Sequence, residues 1–171
     1  MKTLAVCFYG IKLADSVIID LVLEKFKEYD ISIFNECNPT TSVALLKVAH
    51  RKHSEEILNK HDYDICMAVH TSAHNLIQHT TIKNLEPNFL YFTKGYFNEP
   101  DRSTGVSKEI FYATSLTFDR ACEFKINLNY IDKRWLRSQG PEALFYYHLK
   151  SLNIRTECID CENSHMFIRT T

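Results

Sequence analysis

His70, Ser72 and His74 alternate just beyond the apolar run Ile65–Val69, within "DYDICMAVHTSAHN" at 62–75. A buried strand that empties into imidazole and hydroxyl groups resembles the floor of a site. Both groups can hydrogen-bond a phosphate. No carboxylate follows where the run stops, so the segment by itself does not form a hard oxygen site for Mg or Mn. A second polar point is Tyr9-Gly10, which closes the apolar run "TLAVCFY" at 3–9.

Other chemistries find less support. There is no G-x-G-x-x-G and no G-x-x-x-x-G-K-[ST], so a dinucleotide fingerprint or P-loop is not expected. A nucleotide could still sit at the carboxyl ends of parallel strands. Ser72 lacks the glycine-flanked elbow of G-x-S-x-G, and Cys66 lies inside the third apolar run, a poor place for a nucleophile. His50 and His53 share a helical face with Leu46, Ala49 and Ile57, which makes them core-rim histidines. Neither they nor His70 and His74 form H-E-x-x-H. Cys158 and Cys161 form a C-x-x-C, yet two thiols cannot complete a zinc site. Acidic neighbours and strand alternation favour structural thiols. The aromatic residues at 89–97 and 145–147 could stack on a sugar or base, but core and subunit contacts are their commoner use.

The elements that must position these groups follow from periodicity. The run 3–9 is a continuous apolar strand. Asp15 or Ser16 caps a helix through about Tyr29, with Ile18, Leu21, Val22 and Phe26 on one face. A short strand at 31–34, a long helix over 42–59 and the strand at 64–70 follow. The second half gives a short helix over 75–85, a strand at 88–92 and a strand at 106–115 lying beside or at the edge of the sheet. A helix over 116–125 and another over 140–154 come next, the latter with Ser138 in its entry turn and Pro141 at its first position. Strands at 155–161 and 165–171 close the chain. Near-continuous apolar strands alternating with amphipathic helices define an α/β fold, a mainly parallel central sheet flanked by helices, Rossmann-like, with a C-terminal pair of strands.

The chain has 171 residues, 45% hydrophobic and 24% charged, which fits one α/β domain over 1–171. A net charge of -1 gives no broad attraction to nucleic acid or an anionic membrane. No apolar stretch reaches membrane-span length, and the N-terminal run is too short for a secretory leader. Six cysteines scattered through strands and helices point to a reducing, cytoplasmic setting, with a virion as the other option.

In order, "LAVCFYG", a helix, "YDISIF", a long helix and "HDYDICMAVHTSAHN" resemble the glycosyltransferase-like proteins of lipopolysaccharide and capsule synthesis and of large viruses. Their fold is a nucleotide-sugar-binding α/β fold of GT-A type. The first strand ends in a Gly-containing turn, and a Tyr-Asp pair, here Tyr63-Asp64, introduces the third. "KEIFYATSLTFDRACEF" and "PEALFYYHLKSLNI" resemble the later strand-helix segment and Pro-Glu helix. The chain is shorter than typical members. It also departs at Ala68, His70 and Ser72, where the family carries an Arg-containing, Asp-ended motif that helps hold a metal and the donor diphosphate.

The resemblance implies transfer of a sugar from a nucleotide-sugar to a glycan or other hydroxyl acceptor. Tyr9 and Gly10 would contact the nucleotide, and His70, Ser72 and His74 would face the diphosphate. Glu142 or Asp101 would be the general base. Each acid also has an ordinary explanation, Glu142 as a first-turn dipole complement and Asp101 as an exposed loop acid. With the acidic motif gone, no resident cofactor is expected, or only a weak Mn or Mg dependence. The alternative is a non-catalytic structural or binding module on the same fold, with protein partners or copies of itself. A nucleotide-binding regulator is less favoured for want of a phosphate loop.

Overall fold

Six of the seven residues of β1 (Thr3–Tyr9) are buried, and five of the six in β3 (Ile65–His70). Strands apolar on both faces belong inside a sheet covered on both sides. The computed structural model describes residues 1–10, 12–35, 63–93, 109–122 and 145–159. β2 (Asp30–Asn35), β4 (Phe89–Thr93), β5 (Ile110–Ala113) and β6 (Arg155–Cys158) complete one six-stranded sheet in the order β2-β1-β3-β5-β4-β6. β2, β1 and β3 run parallel, as do β4 and β6, while β5 opposes both of its neighbours. The expected mainly parallel α/β sheet is therefore present.

The amino ends of β1 and β3 are clamped together. The Asp64 carboxylate accepts hydrogen bonds from the Thr3 amide at 2.8 Å and the Thr3 hydroxyl at 3.1 Å, and the Thr3 hydroxyl accepts from the Asp64 amide at 2.9 Å. The Thr3 amide is the main reason the Asp64 carboxyl is held below its usual range. Tyr63 stands edge-on to Phe34 of β2.

Alternation along the strands builds two apolar layers. On one face, Leu4, Val6, Phe8, Met67 and Val69 pack against Ile18, Val22 and Phe26 of helix α1 (Ser16–Lys25) and the end of α1, and against Ile77 of α2 (His74–Ile77). On the other, Ala5, Cys7, Tyr9, Ala68 and Phe111 meet Phe118 and Ala121 of α3 (Ser115–Cys122) and the helical residues 145–151 through Phe145 and Leu149. Fully burying one such aliphatic or aromatic side chain contributes about 1.5–3 kcal/mol, so these layers outweigh any single cap or surface pair.

Asp15 is the cap of α1, accepting from the Ile18 amide at 3.0 Å, and the helix stops at Lys25 rather than near Tyr29. The chain must turn there, because Asp30 already pairs with Thr3. The C-terminal helix ends at a Schellman turn. Asn153 takes a left-handed φ of 56°, and the amides of Asn153 and Ile154 bond the Lys150 and Leu149 carbonyls. β6 begins directly after it, as expected for 155–161. The helix expected over 42–59, the strand over 165–171 and the entry turn at Ser138 and Pro141 lie outside the described residues.

Two expectations are corrected. The strand sought at 106–115 is not at the edge. β5 lies inside the sheet between β3 and β4, all four of its residues buried. Its alternation misleads because Tyr112 looks half-polar, yet its ring is fully buried and its hydroxyl is bonded. Second, in place of the helix expected over 75–85 there is one short turn of helix, His74–Ile77. The chain beyond it is a strap laid across the sheet and held by tyrosine hydroxyls. Tyr112 donates to the Thr81 carbonyl at 2.8 Å and accepts from the Lys83 amide at 3.2 Å, and Tyr91 accepts from the Glu86 amide at 3.1 Å. Buried Thr80 and Thr93 share a 2.8 Å hydroxyl bond beneath it. Backbone groups served this way need no helical partner.

Two outcomes follow. Tyr112→Phe keeps the ring and removes both strap bonds, so it should cost about 1–3 kcal/mol in urea unfolding. The second concerns His148, buried with its ring Nε2 donating to the Ala121 carbonyl at 2.9 Å. Burial holds its imidazole below the ordinary range, and the Ala121 bond only partly opposes this. The unfolded chain therefore takes up a proton, near an ordinary histidine value of about 6.5, before the folded chain does. This contribution to stability should be full above that pH and decline below it. Equilibrium unfolding from pH 8 to 5 should show the decline, and His148→Gln should flatten it.

Candidate functional site

The carboxyl ends of β1, β3 and the amino end of antiparallel β5 form one edge of the sheet. Tyr9 and His70 are register partners there. Paired residues of parallel neighbours point to the same face, and the two rings meet edge to face at 5.1 Å. The β3–β5 register pairs Val69 with Ile110. One further step sets Glu109 opposite His70, and the His70 amide indeed bonds the Glu109 carbonyl at 2.7 Å. Tyr9, His70 and Glu109 thus stand in a row across three strands.

Gly10 follows at once. Its φ of 144° is one that side chains rarely adopt, and a Cβ there would collide with the Thr71 hydroxyl and lie 3.4 Å from His70 Nε2. The Thr71 amide bonds the Tyr9 carbonyl at 2.9 Å, and the Ala73 amide turns back to the His70 carbonyl at 2.9 Å. These bonds fold 70–73 into a tight turn against the end of β1.

Within that turn the polar side chains are linked. Ser72 Oγ lies 2.6 Å from His70 Nδ1 and donates to Glu109 Oε2 at 3.3 Å. The Ser72 amide donates to His70 Nδ1 at 3.2 Å, and Glu109 Oε2 is 3.9 Å from the same nitrogen. His74 points elsewhere, to Asp15 Oδ1 at 3.7 Å. The Asp15 carboxyl is held below its usual range, chiefly by the Ile18 amide and less by His74. Asn35, at the end of β2, grips the loop that leads into α1. Its side chain accepts from the Ala14 amide at 2.9 Å and donates to the Ala14 carbonyl at 3.0 Å.

The structure therefore brings Tyr9, Gly10, His70 and Ser72 together, and places His74 on the same edge in a separate pair with Asp15. Asp101 and Glu142 lie outside the described residues, as do His50 and His53. Sequence reasoning missed Glu109 as a site residue. It precedes β5, and nothing in a linear reading tells that β5 runs against β3. It also missed Asn35, which ends a strand as an ordinary polar residue would. Asp15 was read only as a cap. Cys66 lies within β3, and burial pushes its thiol up to about 12, so it stays protonated. Among the described residues no group of three His, Cys, Asp or Glu side chains could hold a metal ion. None of the described helices is long and apolar enough to cross a membrane.

The chain has a glycosyltransferase-like α/β fold. It is similar to the crystal structure of a glycosyltransferase involved in the glycosylation of the major capsid of PBCV-1, with a TM-score of 0.54 over 93% of this chain and 83% of that one. The identity is 7%, so the likeness is one of fold. No protein-family model and no curated protein sequence matches the chain.

Gly10→Ala tests the turn. The strained φ and the clash with Thr71 should together cost about 1–3 kcal/mol, measured by chemical unfolding. Adding Thr71→Ala should recover the clash and leave the backbone strain, so the double variant should be intermediate.

Proposed function

We propose that the chain is a single-domain glycosyltransferase-like protein of GT-A type that moves a sugar from a nucleotide-sugar donor to a glycan or other hydroxyl acceptor. The observation that carries this reading is the side-by-side, parallel placement of Tyr9-Gly10 and His70 at the strand ends, where open α/β sheets take ligands. The likeness to a glycosyltransferase fold supports it.

On this reading the nucleotide lies at the end of β1, by Tyr9 and the Gly10 turn. The diphosphate faces His70, Ser72 and His74. In the reaction the acceptor oxygen bonds to the anomeric carbon while the bond from that carbon to the phosphate oxygen breaks. The electron pair leaves with the diphosphate, and the acceptor proton passes to a carboxylate, for which Glu142 and Asp101 are the candidates. Imidazole and hydroxyl donors would stabilise the charge that builds on the leaving group.

The described donor set does not fit a hard divalent cation, since the His70 cluster offers one carboxylate, Glu109, beside an imidazole and a hydroxyl. We therefore assign the transfer no metal-dependent step. Thermal-shift measurements with uridine, guanosine, cytidine and thymidine diphosphate sugars, with and without Mn, test the proposal. One donor should raise the melting temperature without Mn. At a hundredfold excess over its Kd the stabilisation should be about 2.7 kcal/mol. No shift with any donor would overturn the reading and leave a binding or structural module.

A further inference from the structure

We infer that Glu109 is a positioning residue for His70. Acting with the Ser72 hydroxyl, it sets whether that ring is neutral or an imidazolium, and so whether this end of the strands carries a positive charge. The role of that charge in holding a donor diphosphate rests on the function proposed above. The coupling itself does not.

The argument starts from one nitrogen. The Ser72 amide donates to His70 Nδ1, so the neutral ring has its lone pair there and its proton on Nε2. Nε2 is the ring atom beside Gly10, 3.4 Å from where a Cβ on that residue would stand. Ser72 has a single hydroxyl hydrogen and two neighbours for it, Nδ1 at 2.6 Å and Glu109 Oε2 at 3.3 Å. With the ring neutral, that hydrogen serves Nδ1 or the carboxylate. With the ring protonated, Nδ1–H donates to Ser72 Oγ and the hydroxyl hydrogen turns to Glu109. The carboxylate, 3.9 Å from Nδ1, then balances the charge.

Two local effects oppose each other. The Ser72 amide favours the neutral ring, because it loses its acceptor when Nδ1 is protonated. The Glu109 carboxylate favours the cation. The side chains of His70 and Glu109 are only 20% and 32% exposed, so water screens the pair incompletely. Among the described residues, these other groups against the ring or its turn carry no charge: Tyr9 from β1, which presents a ring, Gly10, Thr71 and Ser72. A diphosphate bound at Nε2–H adds to the cationic side. The cluster then does in a pH-dependent way what a fixed cation does elsewhere.

The test is an imidazole nitrogen NMR titration of the full chain, with His70 assigned through His70→Gln, beside calorimetric titration with inorganic pyrophosphate at pH 6 and 8. In the wild type the neutral ring should carry its proton on Nε2. Glu109→Gln should lower the His70 midpoint by about one pH unit. Ser72→Ala, at an exposed position, should lower it less. Pyrophosphate should bind the wild type several-fold more tightly at pH 6 than at pH 8, and Glu109→Gln should shrink that ratio. An unmoved midpoint in Glu109→Gln, or a neutral ring protonated on Nδ1, would overturn the inference. A midpoint that moves while neither pyrophosphate nor any nucleotide-sugar binds would uphold the Glu109–His70 coupling and overturn the proposed function instead.

Discussion

The antiparallel pairing of β5 with β3 brings a carboxylate to an edge where the neighbouring parallel strands deliver none. Parallel strands present their carboxyl ends together, so the residues after β1 and β3 meet, while an antiparallel neighbour contributes its amino end. The register is strongly held. Phe111 and Ala113 belong to one apolar layer and Ile110 and Tyr112 to the other, so a slip by one residue would exchange them all. The same slip would turn Glu109 away from His70. The position of the acid is therefore enforced by core burial along β5 and does not depend on the hydrogen bond its side chain makes to Ser72.

The remaining edge groups are held by side chains that serve backbone atoms. Asn35 grips Ala14, Asp15 caps α1, and the Ser72 amide fixes His70. At the opposite end, Asp64 and Thr3 close the β1–β3 pair. The strap after α2 is held by Tyr91 and Tyr112 in the same manner. Each device satisfies polar groups that irregular chain would leave open, and each removes freedom from a loop next to the sheet. Among the described residues, these strand ends are thus braced by hydrogen bonds without a disulfide.

These two kinds of constraint explain what was legible in the sequence. Apolar runs in β1 and β3, the face of α1 and the Asp15 cap declare themselves by composition and period, and all are found. Strand adjacency could be inferred for parallel units, and Tyr9 and His70 do pair. The direction of β5 could not, because alternation has no arrow. Its interior position was hidden too, since a tyrosine that hydrogen-bonds inside the protein has the same letter as one on a surface. The failed 75–85 helix has a similar cause. Its backbone at Thr81 and Lys83 is served by the Tyr112 hydroxyl of β5, which no local window contains.

The same division bears on the likeness to another fold at 7% identity. Burial asks only for apolar volume at alternate positions, which many sequences supply, so layers and strand order can persist when letters do not. The sheet edge has no such tolerance. A hydroxyl at 72 and a carboxylate at 109 matter by atom and distance, and neither contributes to the core. Fold comparison therefore speaks to the layers, while the chemistry of the edge must be argued from its own geometry. An imidazole at that edge differs from a fixed charge in one physical respect. Its charge depends on proton concentration and on the company it keeps, and in this chain that company is set by the pairing of two strands whose contact the linear sequence does not announce.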